Sequence, residues 1–151
     1  MNWTQSKSVT LSQSCVIIFA VILAALDVSC YWLVGYFLSL SRLLDGLWDG
    51  SILMILIYSC SIPAWIILWS LWRLLGRIRA GSVFVTENVQ DMRRTSWCCF
   101  LVGLICLVGT CFYFALCLIA AAAAFMGLIV RIVRNAFQQA ISMKDELDFT
   151  V

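Results

Sequence analysis

Of the 151 residues, 64% are apolar and only 12% are charged, about half the charged share of an ordinary soluble domain, so most of the chain must dissolve in lipid. The formal charge of +2 leaves no strong nucleic-acid footprint and argues against direct contact with nucleic acid. No histidine is present, which removes the commonest general base near neutral pH and the commonest metal ligand. The expectation is a protein that is not an enzyme and carries no metal and no cofactor.

The expected fold is all-α: a polytopic membrane protein with four transmembrane helices in a single membrane domain over 1–151, helices three and four extending beyond the bilayer. A hydrocarbon core of about 30 Å takes roughly 20 helical residues to cross, because backbone groups left unpaired in lipid are costly. The first apolar run, 16–40, meets that length and is too long for the apolar core of a signal peptide. The second span, 51–73, is uncharged from Ser51 to Trp72 and holds the chain's one proline, Pro63, which is expected to kink the helix and free a carbonyl near Ser59.

A loop over 74–94 follows, in which Gly76 and Gly81 permit turns and Phe84 is placed to dip back toward the core. Thr86 reads as an N-cap with Glu87 in the first turn, so helix three is expected to start in water and pass through Val89, Met92 and Arg93 before reaching lipid. From Thr95 to Val130 no charged residue occurs, and one straight helix of that length would reach about 54 Å. The run must fold back, and a tight hairpin is expected within 109–114, giving spans at 95–110 and 114–133. Gly103 and Gly109 on one side, and Ala120 to Ala124 with Gly127 on the other, make small-residue faces that let helix backbones approach closely.

Helix four continues into the tail, 134–151, as an amphipathic extension in which Ile129, Ile132, Val133, Ala136, Phe137, Ala140 and Ile141 recur at three- and four-residue intervals. Its apolar face is expected to pack on Val89 and Met92. An acidic end follows, with Asp145, Glu146 and Asp148 as candidate partners for the loop arginines.

Basic residues in short flanking segments are retained on the cytoplasmic side. The hairpin topology puts nine of the ten Lys and Arg residues inside, with only Arg42 outside, whereas one long final helix would leave six against four. Both termini are therefore expected in the cytoplasm. Trp48 is the expected outer anchor and Trp72 and Trp97 the inner ones, while Trp65 and Trp69 are read as packing residues. The eight cysteines all lie in or beside apolar runs and read as small apolar fillers.

Two sets of residues stand out as candidates. Asp27 is the one ionisable side chain deep in a span, where a charged aspartate costs about 2.5–3.5 kcal/mol on insertion scales. Tyr58, Ser59 and Ser61 on helix two are expected at comparable depth, forming either a ligand or ion site with Asp27 or a clamp between the two helices. The second set is a partner surface on the cytoplasmic side, made of Arg77, Arg79, Phe84, Glu87, Asn88, Arg93 and Arg94 together with Asp145, Glu146 and Asp148.

Two segments carry a family resemblance. Gly81, Phe84 and Asn88, followed by Met92 and Arg93, are similar to a Gly-x-x-Phe-(Ser/Thr)-x-x-Asn pattern with a Leu-Arg pair, and the last eight residues, Lys144 to Val151, are similar to a closing Lys-Glu-Glu-Asn-Asp-Leu-Thr-Val. Both patterns belong to DUF2975, a group of small, uncharacterised bacterial membrane proteins with four predicted transmembrane helices. The resemblance implies a bacterial cell membrane location and, because such proteins are often encoded beside a small helix-turn-helix regulator, a membrane partner or sensor for that regulator. It supplies no catalytic residues. The alternative expectation is a small transporter, immunity or resistance protein that binds a hydrophobic peptide or an ion near Asp27. Membrane lipid is the expected surrounding partner, and self-association stays open.

Overall fold

The computed structural model describes residues 3–41, 50–81 and 85–149. Four helices account for nearly all of them: α1 (Trp3–Ser41), α2 (Gly50–Arg79), α3 (Thr86–Gly109) and α4 (Leu116–Phe149), with no strand among the described residues. Arg42, Trp48 and Phe84 lie outside the described residues, as do the side chains of Lys7, Asp145 and Asp148. Each helix contains a stretch long and apolar enough to cross a membrane: Val9–Tyr36, Ser51–Arg79, Thr86–Gly109 and Leu116–Lys144. At about 1.5 Å per residue, the shortest of these exceeds a hydrocarbon core of about 30 Å.

The helices are longer than the apolar runs inside them. α1 begins well before residue 16 because nothing in the polar stretch from Trp3 onward breaks a helix, and Ser14 returns its hydroxyl to the Thr10 carbonyl at 3.1 Å. The expected loop at 74–94 contracts to 80–85, since α2 runs straight through Gly76 to Arg79 and α3 starts at Thr86. Gly81 enters the turn at φ +82°, a conformation that costs a residue without Cβ little. Thr86 is not the N-cap: that position belongs to Val85, which is extended at φ −126° and ψ 141° and offers no side-chain acceptor. α4 carries the acidic tail within the helix as far as Phe149.

Side-chain pairings show that successive helices run antiparallel. Between α1 and α2, Gln13 meets Arg79 while Asp27 meets Ser61. Between α2 and α3, Arg77 meets Asp91 while the Cys60 and Cys106 sulfurs lie 3.9 Å apart. Between α3 and α4, the buried Ser96 hydroxyl donates to the Gly127 carbonyl at 3.0 Å. The first ends of α1 and α3 and the last ends of α2 and α4 thus share one side, the basic end, and the hairpin between α3 and α4 lies at the other.

That hairpin closes its own backbone bonds. Thr110 stays right-handed and donates its N–H to Cys106 and Leu107, and its hydroxyl also reaches the Cys106 carbonyl. Phe112 and Tyr113 both donate to Gly109, and Leu116 donates to Tyr113 to start α4. Successive tight turns, rather than a left-handed glycine, therefore reverse the chain. Phe114 projects outward there, where an aromatic ring suits a membrane interface.

α3 and α4 pack through the small-residue faces expected of them. A Cβ added to Gly103 would lie 3.4 Å from the Ala120 carbonyl oxygen and 3.6 Å from the Ala124 nitrogen, so the two backbones nearly touch. Few apolar side chains are buried among the described residues, and those are small: Cys30, Val34, Pro63, Cys106 and Ala120. Large ones such as Val28, Trp32 and Leu118 face outward, as they do when the surrounding solvent is itself apolar. Gly103→Ala should be tolerated, whereas Gly103→Leu should separate α3 from α4 and cost about 1–3 kcal/mol. Thermal unfolding of the two variants in detergent checks this, and equal midpoints would contradict the close approach.

Candidate functional site

The lipid-buried cluster forms where α1 crosses α2. Ser61 donates to Asp27 Oδ2 at 2.7 Å and the Trp65 indole N–H donates to the same oxygen at 3.0 Å. Tyr58 also reaches Asp27, but its hydroxyl donates to the backbone carbonyl at 3.2 Å and fixes the register of the two helices instead of solvating the acid. Tyr58, Ser61 and Trp65 are three and four residues apart, one face of a helix. Ser59 is two residues from Ser61 and falls off that face; no hydrogen bond joins it to Asp27 among the described residues. Trp65, expected only to pack, is a direct partner of the acid, and the i, i+4 spacing from Ser61 was the available signal.

Asp27 also lines a cavity of about 460 Å³ whose walls come from all four helices: Leu26 from α1, Leu56 and Cys60 from α2, Cys106 from α3, and Ile119 from α4 are among them. That volume suits a small organic ligand. Its walls are apolar apart from the Asp27 and Ser61 groups. Both side-chain donors to the acid among the described residues reach the same oxygen, Oδ2.

The second cluster lies at the basic end and is centred on a residue absent from the sequence-derived set. Asp91 is 4% exposed and accepts from Arg77 Nη1 at 2.7 Å, with Arg94 Nη1 3.8 Å from its other oxygen. The same Arg77 nitrogen donates to Asn88 Oδ1 at 3.1 Å, and Asn88 is fully buried. Thr95 donates to the Asp91 carbonyl. Asn88, Asp91 and Thr95 recur at helical spacing, a polar stripe turned toward α2, which was the readable sign of this site. A buried carboxylate is tolerated only when paired.

The remaining surface residues scatter. Arg79 donates to Gln13 Oε1 on α1 at 3.4 Å. Glu87, Arg93, Arg94 and Glu146 are exposed. Arg77 is committed to Asp91 and Asn88, and the Asp145 and Asp148 side chains of the acidic tail lie outside the described residues. Ser96, like Ser61, bonds across helices rather than to its own turn.

The sequence profile described as protein of unknown function (DUF2975) matches residues 15–151. The chain belongs to this family. No curated protein and no solved structure matches it.

The Arg77 to Asp91 pair joins α2 to α3 in this DUF2975 chain where no long loop remains to do so. Arg77→Gln should strand a buried carboxylate and lower stability by about 3 kcal/mol, and adding Asp91→Asn should recover most of the loss. A double-mutant cycle of unfolding in detergent measures it, and additive costs would show that the pair does not act as a unit.

Proposed function

We propose that this protein is a non-enzymatic partner or sensor in the bacterial cytoplasmic membrane, with both termini inside, that reports occupancy of the Asp27 cavity to a soluble helix-turn-helix regulator. The observation that carries this reading is the cavity itself. A molecule lodged against Asp27 would touch every helix, and two of those helices, α2 and α3, are locked together at the basic end by Arg77, Asn88 and Asp91. Lipid-dissolved compounds have a route in, because α1 packs on α2 alone and its backbone approaches neither α3 nor α4 within 8 Å.

The orientation rests on the charge asymmetry: the basic end and the tail hold nine of the ten Lys and Arg residues. A docking surface for the regulator is supported by the exposed Arg94 and by the tail end of α4. The second reading, a small transporter or immunity protein that binds a hydrophobic peptide or ion, draws on the same lone carboxylate. It is the weaker, because one acid without a buried basic neighbour makes no relay for moving a charge.

Purification of the native protein from its own membranes should bring down a DNA-binding companion, and Asp27→Leu should abolish control of the companion's target genes at unchanged protein abundance. Recovery of the chain without such a companion, combined with sensitivity to a toxin when the gene is deleted, would overturn the sensor reading in favour of the second.

A further inference from the structure

A third feature lies on the opposite side of α3 from Asp91. The apolar run Thr95 to Val130 is bracketed by Arg94 on α3 and Arg131 on α4, so both helices cross from apolar to polar surroundings at the same level. At that level a cleft of about 420 Å³ opens between them, lined by Arg93, Arg131 and Arg134, with Thr86, Gln90 and Gln138 toward the polar side and Trp97 and Phe100 toward the apolar side. No acidic residue lines it. Arg134 gives one Nη to Asn135 at 2.9 Å, yet its Nε is buried and has no hydrogen-bond partner. A buried donor without an acceptor is costly and calls for one.

We infer that this cleft binds the phosphate headgroup of an anionic phospholipid from the leaflet at the basic end. Three guanidinium groups around one cleft match a phosphate in charge and in planar, two-pronged hydrogen bonding. The start of α3 at Thr86 adds its positive helix end. The walls change from polar to aromatic along the direction in which a lipid changes from headgroup to acyl chain, a gradient that an ion dissolved in water would not need. Basic pockets between transmembrane helices are suited to anionic headgroups. The inference is independent of the Asp27 cavity and of any regulator.

Native mass spectrometry of the full-length protein, with phosphatidylglycerol or phosphatidylcholine added to the detergent, tests it. Phosphatidylglycerol should bind about tenfold more tightly than phosphatidylcholine, which offers the same phosphate but brings a choline cation toward three guanidinium groups with no acid in the lining to pair it. Arg93→Gln with Arg131→Gln should bring the two lipids to parity, while Arg73→Gln with Lys144→Gln, the same change in net charge outside the cleft, should keep the preference. If the first pair does not fold, Arg93→Lys with Arg131→Lys should retain a reduced preference. Equal binding of both lipids by the unmodified protein, or equal loss in the control pair, would overturn the assignment. So would inorganic phosphate binding as tightly as phosphatidylglycerol, which would mark a soluble anion as the occupant.

Discussion

Hydrocarbon offers no hydrogen bonds, and every polar group that enters it must find a partner within the protein. This constraint explains why the described chain is almost wholly helical, and why its hairpin at 110–115 pairs backbone groups through consecutive tight turns. It also explains the company Asp27 keeps. An isolated carboxylate at that depth would be expelled; one that accepts from Ser61 and Trp65 instead binds α1 to α2. The acid is thus both an adhesive and a polar spot in an otherwise apolar cavity.

α2 is the strut that links the two polar clusters. Ser61 and Trp65 serve Asp27, and Arg77, some 16 residues beyond Ser61, serves Asp91 and Asn88. Sixteen residues of helix are about 24 Å, close to the thickness of the hydrocarbon. α3 and α4 form the stiffer half, because Gly103 and Gly127 bring their backbones together and Ser96 bonds across. α1, held by α2 alone, is the helix with the fewest restraints.

Much of this was readable from the sequence because lipid reduces the folding code to length and polarity. Four spans, the reversal near Gly109, the small-residue faces and the long last helix all follow from where charges stop and start. The boundaries in water were less legible. Gly76 looked like a turn but lies in a helix that flanking residues sustain, and Thr86 looked like a cap although Val85 takes that place without using a side chain. Asp91 stands beside Arg93 and Arg94 in the sequence, where nothing marks it as buried, and only the packing of α3 on α2 turns it inward. Trp65 was read as bulk because its indole N–H matters only once Asp27 is opposite. Of the residues read as a partner surface, Arg77 and Asn88 converge on Asp91, Arg93 lines the cleft between α3 and α4, and Phe84, Asp145 and Asp148 have no described side chain.

The account rests on four passes through a bilayer with the basic end in the cytoplasm. Paired fusions, one reporter after Val151 and one inserted within 42–49, measure that most directly when combined with alkaline extraction of membranes. The two reporters should be active on opposite sides, the first inside and the second outside, in a chain that stays with the pellet. Activity of both on the same side, or release of the chain into the supernatant, would contradict the account.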